Sequence, residues 1–509
     1  MTVIDQKRIA RNTLMLYFRM GVIMLINFYT SRLVLKVLGA DDFGLYTAVG
    51  GLVIAFAFIR STLSSASNRY FAYELGRNRY DELHKLFCLN VTIFIILAAI
   101  VLVLAETAGL WFLYNKVSFF PERRGAVGWV YQFTIIALVF NLVSTPYLSL
   151  IFAKEKMHVV AYSSIIETVL KLVIVFLLVR TTMDKLVLYS GLMALITIGI
   201  SLFYIFYCTL FYRESRFRFY WNKAKFREIS EYIGWNTIGA LADMGRTQGL
   251  NLLLNMFFGT AVNAARGIAY QVYVNINGFI VNFSEAFKPQ ITKSYANNEK
   301  EGMMKLVFQS SKFSYFLLFI LILPVFLETP IILDIWLVDV PEHTVILCRL
   351  MLITALISST HVPMATAVRA TGDIKWYQIF VCGALLLPLP VSYIILKMGY
   401  GTPALVYIID LIAAAVAQIM RFVIMVVQMK MNFREYAGQV LLPTAIVSLI
   451  SAIIPVALVL NMDAGITRFI VVTLTSFLTT AVAVYTLGLT VTERKHILET
   501  IKLKSKISG

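Results

Sequence analysis

Between residues 233 and 287 an otherwise apolar stretch is crowded with groups that can bind and neutralise ions or hydrogen-bond a polar ligand. The first half carries Asn236, Asp243, Arg246, Thr247 and Asn251; the second carries Arg266, Tyr270, Tyr273, Asn277, Ser284 and Glu285. Guanidinium groups hold phosphate bidentately and stay charged at any physiological pH. Amides and phenols suit the hydroxyls and faces of sugars. An intramembrane acid such as Asp243 serves either as a counter-ion or as an ion-coupling group.

These side chains need two helices to place them. Residues 233–258 and 264–287 are each long enough, at 1.5 Å per residue, to cross a hydrocarbon core of roughly 30 Å. At about 100° per residue, Asn236, Asp243, Thr247 and Asn251 fall on one face of the first. Asn263, Arg266, Tyr270, Tyr273, Asn277 and Ser284 fall within an arc of roughly 80° on the second. A charge at mid-bilayer costs at least about 2.5–3.5 kcal/mol, so such stripes face a bundle interior or water. Interhelical hydrogen-bond glue is one use of them. The density of charge and amide fits the wall of a polar cavity better.

The whole chain has the composition of a polytopic membrane protein. It has 509 residues, 59% of them hydrophobic and only 14% charged, with a mean hydropathy of +0.78; soluble domains are near 25% charged. Apolar runs predict about fourteen transmembrane helices in an all-α protein. The net charge of +17 has a topological origin and does not point to nucleic acid. With the N-terminus in the cytoplasm, 28 of the 45 Lys and Arg fall in cytoplasmic segments and 7 in outer ones, the other 10 lying within spans. That asymmetry places both termini in the cytoplasm. The first apolar run is too long for a cleavable signal peptide and is expected to remain as an anchor. Cys88, Cys208, Cys348 and Cys382 sit in or beside predicted helices without CxxC spacing, so neither disulfides nor a metal is expected, and no cofactor is implied.

An internal duplication is written in the chain. Asn12-Thr13, Met20-Gly21 and Asn27 recur as Asn236-Thr237, Met244-Gly245 and Asn251, a shift of 224. Ala66, Asn78, Lys85 and Leu86 recur as Ala286, Asn298, Lys305 and Leu306, a shift of 220. Ile136, Pro146 and Ala153 recur as Ile353, Pro363 and Ala370, a shift of 217. Each displacement covers six spans, so the halves are expected as parallel repeats related by an axis along the membrane normal. The expected organisation is an N-lobe over 1–212, a basic cytoplasmic linker over 213–232, a C-lobe over 233–430, and two appended helices with a basic tail over 431–509. Segment 64–85 is expected to be a short amphipathic helix with a turn near Gly76.

Ten cations lie inside the predicted spans. Lys36, Arg60, Arg349 and Arg369 are near helix ends and can snorkel; Lys171 has Glu167 one turn away. Asp410 and Arg421 share a helix but are 11 residues apart, so partners for them must come from other helices. The first, second, seventh and eighth spans hold six cations (Arg19, Arg32, Lys36, Arg60, Arg246 and Arg266) against Asp243 and Glu285. A cavity among them is expected to be positive.

The run Tyr29-Thr30-Ser31-Arg32, Leu38-Gly39, Phe43-Gly44-Leu45-Tyr46 resembles the opening of bacterial polysaccharide-biosynthesis flippases of the Wzx type. These belong to the multidrug/oligosaccharidyl-lipid/polysaccharide (MOP) exporter superfamily, with the MATE transporters and the lipid II flippase MurJ. The resemblance implies a MATE-like fold of two six-helix lobes that work by alternating access, with spans 1, 2, 7 and 8 around the cavity. It implies an undecaprenyl-pyrophosphate-linked oligosaccharide (O-antigen, capsule or exopolysaccharide repeat unit) moved across the bacterial inner membrane, among membrane lipids and beside a glycan polymerase or ligase. On that reading Arg19, Arg32, Arg246 and Arg266 hold phosphate. Asn236, Thr247, Asn251, Tyr270, Tyr273 and Asn277 form the sugar-facing wall, and Asp243 is counter-ion or coupling acid. The alternative is a MATE-like cation or drug antiporter, which needs cavity-facing acids. No sizeable outer loop exists for a membrane enzyme's far-side chemistry, and no G-x-x-x-x-G-K-[ST] loop for an ATP-driven pump.

Overall fold

The computed structural model describes residues 57–490 apart from 117–120 and 338, together with scattered positions from Arg19 to Tyr46 and Glu493–Arg494. Arg32, Lys36, most of the first two expected spans, and Asn12, Thr13 and Asn27 of the first repeat match lie outside the described residues. Among the described residues the secondary structure is helical throughout. The helices are α1 (Ala57–Gly76), α2 (Tyr80–Asn115), α3 (Arg124–Ala153), α4 (Met157–Val179), α5 (Lys185–Phe211), α6 (Lys223–Ala296), α7 (Lys300–Leu327), α8 (Thr344–Ser358), α9 (His361–Thr371), α10 (Lys375–Lys397), α11 (Pro403–Met429), α12 (Phe433–Asn461) and α13 (Ile466–Gly488). Nine of them are long and apolar enough to cross a membrane, and α8 and α9, bent by 43°, together make a tenth such element. Their outward faces carry large aliphatic side chains such as Leu449, Leu474 and Leu478, a surface that lipid solvates and water does not.

The chain divides into two compact units, Arg8–Thr237 and Ile238–Gly509. The basic linker packs with the first unit. Lys154 pairs with Glu214 and lies 4.2 Å from the Tyr212 ring, and the Arg218 amide donates to the Cys88 sulfur at 3.3 Å. In the same unit Arg123 bridges Asp42 and Asp184. Asp184 also caps α5 by accepting from the amides of Leu186 and Val187, satisfying helix-end donors.

The repeat appears as local geometry. Where α1 ends, Asn78 has φ 55°; where α6 ends, Asn298 has φ 61°. The amides of Arg77, Asn78 and Arg79 donate to the carbonyls of Tyr73, Leu75 and Glu74, and those of Asn297, Asn298 and Glu299 to Lys293, Tyr295 and Ser294, the same set displaced by 220. Asparagine tolerates this left-handed conformation better than most residues. The connection after α3 turns at Glu155 (φ 59°) and that after α9 at Gly372 (φ 87°), displaced by 217. The turn expected near Gly76 is thus at Arg77–Arg79, and α1 runs unbroken up to it.

The second unit is built on a hairpin within α6. Gly259, at φ 80° and ψ −169°, interrupts the helix; an L side chain is strained there, so glycine is the residue that fits. The Arg266 guanidinium reaches the Thr247 carbonyl at 2.8 Å, so the two halves fold back on one another. Leu250, Leu254, Ala265 and Ala269 join Leu318, Leu347, Leu352 and Tyr407 in one buried core.

The last two helices are anchored by charge as well as packing. Arg468 of α13 forks onto Glu328 at 2.9 and 3.1 Å, and the Glu328 side chain is fully buried. Removing one partner of a buried pair costs about 3–5 kcal/mol because the other charge is stranded. Arg468→Ala is therefore expected to lower the thermal unfolding temperature of the detergent-purified protein strongly. Lys225→Ala, which breaks only the exposed pair with Glu228, costs under about 1 kcal/mol and serves as control.

Candidate functional site

The two halves of α6 and the faces of α8 and α11 enclose a cavity of about 360 Å³ inside the second unit. Asp243, Arg246, Thr247, Arg266, Tyr270, Tyr273 and Asn277 all line it. All but Arg246 were grouped from helical periodicity, and the hairpin at Gly259 brings their two stripes to one space. Asn282, Thr354, Tyr407 and Asp410 complete the polar part of the wall. Asn236 and Asn251 do not line it: Asn236 belongs to the first unit and is buried there, and Asn251 is half-buried. Arg19 belongs to the first unit and is half-buried there. Arg60, in the same unit, donates from Nε to the Thr145 hydroxyl at 3.2 Å.

The two arginines of the cavity differ in kind. Arg246 donates from Nε and Nη2 to the two carboxylate oxygens of Asp410, at 2.6 and 2.7 Å. This bidentate fork is the strong form of an ion pair. Its Nη1 lies 3.8 Å from Asp243, whose side chain is 71% exposed against 5% for Asp410. Arg246 is thus held by a partner 164 positions away, while Asp243 stands open to the cavity. In this cavity two guanidiniums face two carboxylates, since α11 supplies an acid.

Arg266 has no such partner. Only 7% exposed, it donates from Nε to the Tyr407 hydroxyl at 3.1 Å and from Nη2 to the Thr247 carbonyl, and its guanidinium carbon lies 5.3 Å from the Tyr270 ring centre. Among the described residues no carboxylate comes within ion-pair distance of it. Neutral oxygens and a ring face orient the group without cancelling its charge, and a guanidinium has five N–H donors. Tyr270 and Tyr273 stack with centroids 5.9 Å apart and planes 26° from parallel, next to Asn277 and Asn282. The arrangement can take an anionic group at Arg266 and a polyhydroxylated ring against the tyrosines.

Other intramembrane charges are accounted for locally. Lys171 pairs with Glu167 at 2.6 Å, as spacing predicts, and Lys288 with Glu285 at 2.5 Å. Arg349 donates to the carbonyls of Phe326 and Leu327, where the C-terminal end of α7 favours a cation. Arg421 bonds to the Tyr377 hydroxyl and the Gln418 amide oxygen.

The fold is that of the MATE transporters of the MOP superfamily. A solved outward-facing multidrug resistance MATE family transporter matches with a TM-score of 0.71 at 14% identity, covering 84% of this chain and 96% of that one. A MOP superfamily transporter from Pyrococcus furiosus, described as having a binding pocket of reverse polarity that suggests a different function, matches with a TM-score of 0.69 at 15% identity, over 84% and 97% of the two chains. The family described as polysaccharide biosynthesis protein matches residues 9–295, and the chain belongs to it. A search of curated protein sequences returns no match. The family is thus one of polysaccharide biosynthesis, and the fold is one that solved transporters share.

Proposed function

We propose that the protein moves a lipid-linked oligosaccharide across the bacterial inner membrane by alternating access, with its lipid tail left in the bilayer. The observation that carries this reading is Arg266, a buried guanidinium held by neutral groups at the wall of a cavity lined by stacked tyrosines and amides. It fits the phosphate of an undecaprenyl-pyrophosphate carrier, with sugar against Tyr270, Tyr273 and Asn277. An inside-negative potential favours outward movement of phosphate by about 2.3 kcal/mol per charge per 100 mV. Membership of the polysaccharide biosynthesis family supports the substrate class. The asymmetry of Lys and Arg supports cytoplasmic termini, and a glycan polymerase or ligase is the expected neighbour in the pathway.

A cation or drug antiporter is the second reading, favoured by the exposed carboxylate of Asp243 in a MATE-like fold. Against it, Asp410 is already neutralised by Arg246. Deleting the gene separates the two. The flippase reading expects loss of surface polysaccharide, accumulation of the lipid-linked precursor inside, and restoration of both by the wild-type gene. In the complemented cells a cysteine at Asn297→Cys stays unreactive toward an impermeant thiol reagent until the membrane is opened. Normal surface glycan with heightened sensitivity to cationic drugs favours the antiporter.

A further inference from the structure

The segment between α5 and α6 has a surface that transport does not explain. After α5 ends, with Leu210 76% and Phe211 69% exposed as lipid-facing groups, residues 216–222 carry no helix and read Arg-Phe-Arg-Phe-Tyr-Trp-Asn. Phe217, Phe219 and Trp221 are exposed, Phe219 to 76%. Arg213, Arg216, Arg218, Lys223 and Arg227 are exposed around them. Glu214 pairs with Lys154 and Glu228 with Lys225. Among the described residues none of those five cations has a carboxylate within ion-pair distance.

The strap is held in place. The Cys88 sulfur takes the Arg218 amide at 3.3 Å and donates to the Arg216 carbonyl at 3.8 Å, His84 contacts the Glu214 carbonyl at 3.0 Å, and the Asn222 side chain caps the start of α6 through the Lys225 amide. A pinned backbone that turns three large aromatic side chains and several unneutralised cations outward, directly at the end of a membrane-spanning helix, matches the chemistry of a bilayer interface. Aromatic rings settle at headgroup level, and basic residues beside them are drawn to anionic headgroups.

We infer that residues 213–227 form an interfacial strap that binds the anionic lipids of the adjoining leaflet and fixes the junction of α5 and α6 against it. The inference rests on the strap alone and is independent of the cavity's substrate. It is tested on the full-length protein carrying Phe219→Cys, labelled with acrylodan and reconstituted in nanodiscs of phosphatidylcholine alone or with increasing phosphatidylglycerol. Wild-type protein is labelled in parallel, since three of its four free thiols are buried and the fourth half-buried. The expected result is blue-shifted emission that appears with phosphatidylglycerol and is reversed by high salt. Adding Arg216→Gln and Arg218→Gln raises the phosphatidylglycerol needed by about tenfold or more, while the thermal unfolding temperature is kept because both side chains are exposed. Solvent-like emission in every nanodisc overturns the inference and leaves the surface to an aqueous protein partner. A blue shift equal in both lipids overturns the anionic-lipid assignment.

Discussion

Asp410→Ala is expected to abolish polysaccharide export and to lower the stability of the protein by about 3–5 kcal/mol. The carboxylate is only 5% exposed and takes both arms of the Arg246 fork. Without it, Arg246 keeps its charge, is 17% exposed, and has only Asp243 at 3.8 Å to turn to. Asp243 is exposed and its pull is screened. The exchange Arg246→Asp with Asp410→Arg restores opposite charges and is expected to recover membrane levels of the protein, which neither single exchange does. Replacing both by leucine is expected to recover those levels too, since apolar substitution of a buried pair is often tolerated. Export stays low in that variant, because two polar groups of the cavity wall are then replaced by alkyl side chains. Immunoblots of membrane fractions alongside surface glycan separate folding from transport. An Asp410→Ala protein as stable and as active as wild type would show that the ion pair is not needed.

Arg266→Gln is expected to leave the protein in the membrane and to reduce export by 100-fold or more. Burying a lone guanidinium costs stability, so losing the charge there does not destabilise the fold; what disappears is the group that meets the substrate anion. Arg266→Lys keeps the charge and loses the fork. A hydrogen bond to a charged group contributes about 1.5–3 kcal/mol, so the lysine variant is expected to export at roughly 1–10% of wild type. Tyr407→Phe removes one neutral hydroxyl that orients Arg266, for about 0.5–1.5 kcal/mol, and is expected to be the mildest of the three. Surface polysaccharide in a complemented deletion strain reads the series. Equal export by all three variants would remove Arg266 from the mechanism.

Periodicity in the sequence reported which face of each α6 half is polar, and six of the proposed site residues lie in one cavity on that basis. It could not report which residues of a stripe reach the cavity, so Asn236 and Asn251 were grouped with Thr247 although only Thr247 lines it. Nor could it report neighbours. Asp410 is visible as an acid in an apolar helix, and Tyr407 is three positions from it on the same face, but nothing local names Arg246 as its partner across 164 residues. The duplication was legible where both copies kept asparagine, at Asn78 and Asn298. It was hidden where one copy reaches positive φ with Glu155 and the other with Gly372, because the shared property is a backbone angle and not a residue type. Glu328 and Arg468 pair across 140 residues, another match that spacing cannot express.

The central claim is that an anionic lipid-linked glycan crosses the membrane through the Arg266 cavity. It is tested most directly in proteoliposomes holding purified protein and a fluorescently tagged undecaprenyl-pyrophosphate oligosaccharide, with flipping followed by quenching of the tag from outside. Wild-type protein is expected to flip the substrate, and Arg266→Gln protein, at equal reconstituted amount and equal unfolding temperature, is expected not to. Flipping by the Arg266→Gln protein at the wild-type rate would contradict the account.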